Sequence, residues 1–176
     1  HDNSGAPRSQ NRNVLERSTL HASGRVGVVE APFVNFSQAR NECIDYMRAN
    51  LPCDAQTWLL MVDCDEVHGS DLAFITRHIL STLPPEVGIV DTYFYNFILS
   101  FNVYNALDRR HNLLVRHNPD LRWTHDVHEH LTGLVGQRIC LPYTYHHYGY
   151  IRSTGHIIDK WRHYRTLGAQ TYSEHT

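Results

Sequence analysis

One apolar run leads directly into three carboxylates: Trp58-Leu59-Leu60-Met61-Val62-Asp63-Cys64-Asp65-Glu66. Strand side chains alternate with period two, so Asp63 and Asp65 are expected to point the same way where the strand leaves its sheet. Two hard oxygen donors at that place suit Mg²⁺ or Mn²⁺. Such an ion could neutralise a diphosphate in the crevice where open α/β sheets bind ligands. Without an ion, the same residues make a polar turn after a buried strand.

Three more clusters carry chemistry-bearing side chains: Phe36-Ser37-Gln38-Ala39-Arg40-Asn41, then Trp123-Thr124-His125-Asp126-Val127-His128-Glu129-His130, then Tyr145-His146-His147-Tyr148-Gly149-Tyr150. Arg40 stands near the start of an expected helix, where a cation opposes the helix dipole. A phosphate contact explains it, and so does a surface pair with Glu42 or Asp45. His125, His128 and His130 with Asp126 and Glu129 could assemble the zinc or di-metal site of a hydrolase. The spacing disfavours the common protease forms, since there is no His-Glu-x-x-His, and the reversed motif needs a histidine where Asp126 stands. His147 reads either as a metal ligand or as a strand histidine packed on Tyr145 and Tyr148.

The elements that must position these groups follow from periodicity and punctuation. A short polar helix is expected around Asn11 to Leu20, followed by a β-rich run, Val26-Gly27-Val28-Val29. Ser37 can cap a helix with apolar positions Ala39, Cys43 and Met47, stopped by Leu51-Pro52. The strand ending in Asp63 comes next. Ser70 is then expected as the N-cap of a helix with Leu72, Ile75, Ile79 and Leu83 on one face and Pro84-Pro85 as terminator. Val87 to Phe101, Asn112 to Val115 and Arg138 to Leu141 are strand-like, and this second half looks more antiparallel. Gly155 to Tyr172 reads as a closing amphipathic helix whose aromatics serve packing.

At 176 residues the chain can bury a sizeable core, and we expect one domain over 1–176. A formal net charge of −2 argues against a nucleic-acid partner. No apolar stretch approaches the roughly 20 residues of a membrane helix, so an integral membrane protein is not expected. The N-terminus shows no basic and apolar signal regions, and the start without Met suggests a trimmed or partial chain. Four scattered cysteines (Cys43, Cys53, Cys64, Cys140) form no Cys-x-x-Cys pair, so reduced thiols and a cytoplasmic location are expected.

Taken in order, Arg40-Asn41, Asp63-x-Asp65-Glu66, Val127-His128-Glu129 and His147-x-Gly149-Tyr150 resemble the motifs of family 2 glycosyltransferases of the GT-A fold, in a bacterial-type branch. The resemblance runs from about Asp2 to Tyr150. It implies an α/β fold of the nucleotide-diphospho-sugar transferase type, a Rossmann-like mixed sheet flanked by helices that here lacks the first β-α unit. It also implies an inverting, hexosyltransferase-type transfer from a nucleotide-sugar donor, most commonly a UDP-sugar, to a hydroxyl of a glycan, lipid or protein acceptor. Mn²⁺ or Mg²⁺ would be the cofactor.

Carried over residue by residue, Asp65 would bind the metal, Asp63 would face the ribose and donor sugar or share the ion, and His147 would be the third protein ligand. Glu129 would be the general base with Asp126 in reserve, while His128 and Arg40 would contact the donor. Many relatives carry a Glu-Asp pair where this chain has His-Glu, which leaves the base open between Glu129 and Asp126. Asp2-Asn3-Ser4 resembles a nucleotide-holding Asp-x-Ser-x-Asp turn, with Asp2 and Ser4 as donor contacts, but the last Asp is absent. Either the chain is a fragment or its base pocket is incomplete. Two other functions compete: the hydrolase built on His125 to His130, and a non-catalytic nucleotide-sugar-binding domain.

Overall fold

The computed structural model describes residues 10–126 and 128–166. In chain order its elements are α1 (Gln10–Glu16), α2 (Thr19–Ala22), α3 (Phe36–Asn50), β1 (Trp58–Leu60), β2 (Glu66–Val67), α4 (Ser70–Phe74), β3 (Val87–Ile98), β4 (Tyr104–Arg116), β5 (Arg122–Thr124), β6 (His130–Thr132), β7 (Gln137–Tyr150) and α5 (Thr154–Thr166). They fall into two compact units, residues 10–52 with Arg122–His130, and Cys53–Leu121 with Leu131–Thr166. Among the described residues no helix is long and apolar enough to cross a membrane. All four cysteines are free thiols.

The second unit is built on a five-stranded sheet in the order β1-β4-β3-β7-β2. The sheet is mixed, as expected for an α/β chain, but mostly antiparallel: only β3 and β7 run parallel. The β-branched and aromatic run after Val87 forms β3, which folds back as β4 after a short reversal in which Leu99 takes φ 61°. Gly88 lets β7 begin against β3, since a Cβ there would lie 2.0 Å from the Val135 carbonyl oxygen. The core gathers Leu80, Val90, Leu113, Leu114, Tyr143 and Tyr145.

Helix α4 starts at Ser70 with Gly69, not Ser70, in the cap position. Past Phe74 the winding widens over Ile75–Ile79 and tightens over Leu80–Thr82. A widened turn adds a residue to the helical phase. Leu72, Ile75 and Leu83 meet the core as expected, while Leu80 is the residue that becomes buried. The strand before the carboxylates is also shorter than expected. It ends at Leu60, the Met61 N–H still reaches the Leu113 carbonyl at 2.9 Å, and the chain then turns, with Glu66 N–H donating to the Asp63 carbonyl at 3.1 Å.

In the first unit α3 is capped by Asn35, whose Oδ1 accepts from the Gln38 N–H at 2.7 Å. Ser37, expected as the cap, lies inside the first turn. Its buried side chain and Ile44 form the inward face in place of Ala39, Cys43 and Met47. Leu51 leaves the helix in extended backbone, as the following Pro52 requires. The expected helix over Asn11 to Leu20 divides into α1 and α2, the latter capped by Ser18.

Val26 to Val29 is not a strand. The Tyr46 ring of α3 presses on Gly27, where a Cβ would fall 2.3 Å from Tyr46 Cε1. The segment is thus fastened by a ring seated on its backbone, and no ladder forms along it.

Candidate functional site

In the second unit a two-residue strand decides the geometry. β2 pairs antiparallel with β7 in the register Glu66 to His147 and Val67 to His146, and the Tyr148 N–H extends the contact to the Asp65 carbonyl at 2.8 Å. The Asp-x-Asp-Glu and His-x-Gly-Tyr segments are therefore strand partners. His147 Nε2 comes within 3.6 Å of Asp65 Oδ1. The other ring nitrogen, Nδ1, lies 2.9 Å from Asn96 Oδ1, an oxygen that can only accept. That contact orients the ring so that Nε2 faces the Asp65 carboxylate.

The pair packs closely against the Gly149 backbone: a Cβ there would sit 2.7 Å from His147 Nε2 and 2.8 Å from Asp65 Oδ2. The His147 ring also packs edge-on against Phe94 at 5.7 Å and Tyr150 at 6.1 Å. Its expected neighbours Tyr145 and Tyr148 give way to these two because β3 supplies Phe94 on the same face. The neighbouring His147 ring holds the Asp65 carboxyl below the usual carboxylate range, overcoming the upward push of burial.

Asp63 has a different environment. Its Oδ2 lies 3.6 Å from Arg110 Nη2, and that guanidinium also stands 3.7 Å from Glu66 Oε1. Glu66 is the buried hub beneath it, 2% exposed, accepting from the Tyr145 hydroxyl at 3.0 Å and the Asp63 N–H at 3.2 Å and meeting His68 Nε2 at 3.2 Å. Burial pushes both the Tyr145 and Tyr143 phenols upward, so they stay protonated donors. Asp63 and Asp65 thus face different partners, because the chain has already left the strand and their alternation no longer holds.

Among the described residues no three His, Cys, Asp or Glu side chains gather closely enough to hold a metal ion. Asp65 and His147 could supply two ligands to such an ion, one carboxylate and one oriented imidazole. A cavity of about 530 Å³ lined by Trp58, Thr76, Leu80, Leu83 and Arg116 lies in the same unit but includes none of Asp63, Asp65 or His147.

The first unit joins the other two clusters. Asn41 Nδ2 donates to the Trp123 carbonyl at 2.8 Å, and its Oδ1 accepts the Trp123 N–H at 2.8 Å, so one side chain mimics a strand partner for β5. Arg40 stacks over the Trp123 ring at 4.9 Å, and its Nε donates to Glu129 Oε1 at 2.8 Å. The Glu129 pairing stands where a surface pair with Glu42 or Asp45 was the alternative to a donor contact. Asp126 accepts from Asn35 Nδ2 at 2.7 Å, and the Ser37 hydroxyl donates to the His125 carbonyl. His125 and His128 take φ 70° and 56°, left-handed backbone that non-glycine residues adopt at a cost in tight turns. The exposed His128 therefore sits on a turn fixed from α3. Asp2 and Ser4 lie outside the described residues.

Sequence reasoning passed over Lys160, Asn96 and Arg110 and gave no role to Glu66 or Gly149. Lys160, on α5, donates to the Gly149 carbonyl at 3.4 Å and lies over the Tyr150 ring at 4.7 Å and the Tyr164 ring at 5.7 Å. Burial lowers its pKa, opposed by the attraction of Asp65 and Asp63. One signal was legible: Lys160 is the only lysine among 16 basic residues. No protein-family model matches the chain, and no curated protein matches it.

Proposed function

We propose that this chain is a metal-dependent inverting glycosyltransferase of GT-A type, in which Asp65 and His147 hold Mn²⁺ or Mg²⁺ and with it the diphosphate of a nucleotide-sugar donor. The observation that supports this reading is the Asp65–His147 pair, with the imidazole oriented by Asn96 and both side chains packed against the Gly149 backbone. When bound, the ion supplies positive charge to a departing diphosphate. Asp63, held beside Arg110, lies outside the pair and serves the ribose and donor sugar.

In the transfer, the acceptor oxygen bonds to the anomeric carbon as the carbon–oxygen bond to the diphosphate breaks, and the electron pair leaves on the diphosphate. Glu129 takes the acceptor's proton, with its carboxylate orientation fixed by Arg40. Asp126, which accepts from the Asn35 amide, stands in reserve. A cytoplasmic location belongs to this reading, supported by the donor class and the free thiols.

The test is a thermal-shift panel of nucleoside diphosphates with and without Mn²⁺. A ligand at about a hundredfold its Kd stabilises the native state by about 2.7 kcal/mol. Wild-type protein is expected to shift far more with diphosphate and Mn²⁺ together than with either alone, and Asp65→Ala is expected to abolish that joint shift. An unchanged shift in Asp65→Ala would overturn the assignment. Stabilisation by Zn²⁺ alone that is lost on replacing His125 or His128 would favour the hydrolase.

A further inference from the structure

We propose that Lys160 is a diphosphate-binding residue, a second positive charge placed on the protein itself beside the ion-holding pair. The inference rests on the metal–diphosphate reading of Asp65 and His147. Lysines on amphipathic helices ordinarily extend their ammonium group into water. Lys160 instead lies over two tyrosine rings and donates to Gly149, the residue whose backbone packs against both His147 and Asp65. The ammonium group carries three donors, and its one hydrogen bond to a described residue is that to the Gly149 carbonyl.

Composition adds an independent argument. Every other basic position is arginine, so a general need for surface charge does not account for the lysine. A compact ammonium on a flexible stem suits a phosphate group as a point charge, where a guanidinium would demand a planar fork of acceptors. The Tyr150 and Tyr164 rings and the Gly149 carbonyl together hold the ammonium nitrogen on this side of the pair. No bond to Lys160 forms or breaks in the reaction. It donates hydrogen bonds to phosphate oxygens, and this contact is expected to strengthen as negative charge builds on the leaving group.

A single lysine also makes the test specific. Calorimetric titrations with uridine diphosphate in Mn²⁺, with uridine alone, and with Mn²⁺ alone would be run on the wild type, Lys160→Met and Lys160→Arg. Lys160→Met is expected to weaken diphosphate binding about tenfold or more, the scale of one charge-assisted hydrogen bond. Uridine and Mn²⁺ affinities should stay within about twofold, and Lys160→Arg should recover part of the loss. In parallel, Mn²⁺ with uridine diphosphate should protect Lys160 of the wild type from amine acetylation, read by peptide mass spectrometry.

Diphosphate affinity equal to wild type in Lys160→Met, or acetylation unaffected by the ligand, overturns the proposal while leaving the metal reading intact. A Lys160→Met protein that loses Mn²⁺ affinity as well shows that the residue only supports the fold, and also overturns it. A wild-type protein that binds no nucleoside diphosphate with Mn²⁺ overturns the underlying reading, and this one with it.

Discussion

Gly149 and Glu129 show how little separates a packing residue from a working one. A methyl group at Gly149 would lie within 2.8 Å of both members of the Asp65–His147 pair. Gly149→Ala is therefore expected to force them apart, reducing Mn²⁺ affinity at least tenfold in a titration while lowering stability by about 1–3 kcal/mol from overpacking. Full Mn²⁺ affinity in that variant would remove the pair as a cation site. Glu129→Gln keeps the shape and the acceptor oxygen for Arg40 but cannot take a proton. It should bind diphosphate like wild type and lose about 10²–10⁴ in kcat for sugar transfer. An Arg40→Ala variant that is equally slow, yet partly rescued by added guanidinium, would show that Arg40 acts by orienting that carboxylate.

Two motif pairs hold together because each pair is one local structure. Asn41 serves the β5 backbone as both donor and acceptor, so the Arg-Asn at α3 and the Trp at the start of the Val-His-Glu turn are joined by hydrogen bonds. Asn41→Ala should cost about 1–3 kcal/mol, read from urea midpoints, because two backbone groups near Trp123 lose their partners. The elements themselves were largely legible. Leu72, Ile75 and Leu83 gave α4 and its core face, and the β-branched run from Val87 gave β3.

What escaped the sequence was pairing at long range. The register that sets Glu66 opposite His147 spans 81 positions and rests on a strand of two residues, too short to show any periodicity. Asp63 was misjudged for the same reason: alternation predicts direction only while a strand continues, and this one ends at Leu60. Val26 to Val29 had the composition of a strand, but Tyr46 from a distant helix took the place of a ladder partner.

At the scale of the whole molecule, 14 histidines make acid a broad perturbation, since protonating them drives the chain from a formal charge of −2 to strongly positive. Against that background one buried carboxylate can be isolated. Asp91 on β3 is fully buried and held by Arg109 Nη2 at 2.9 Å, His111 Nδ1 at 2.9 Å, the Asn112 N–H at 3.0 Å and Arg138 Nη1. Burial alone pushes its carboxyl upward, but the Asn112 N–H, His111 and Arg138 outweigh it and hold the pKa below the free value of 3.8. A carboxyl lowered on folding adds stability that is fully present above its unfolded pKa and is lost as pH falls through the folded one. The contribution of Asp91 should therefore be constant from pH 7 to about 5 and fall away below about 4.

Asp91→Asn removes the negative charge but leaves the cations in place. Because the arginines and His111 reach solvent, the expected loss near neutral pH is toward the lower end for a broken buried pair, about 3 kcal/mol. Histidines remote from Asp91 act on wild type and variant alike, and a His111→Asn background removes the histidine that touches it, so the difference in urea stability made by Asp91→Asn in that background reports Asp91 itself. That difference should be largest from pH 7 to 5 and shrink toward pH 3. A gap that instead widened as the pH fell would mean that Asp91 is held protonated in the native state, and the ion-pair account of this corner of the sheet would fail.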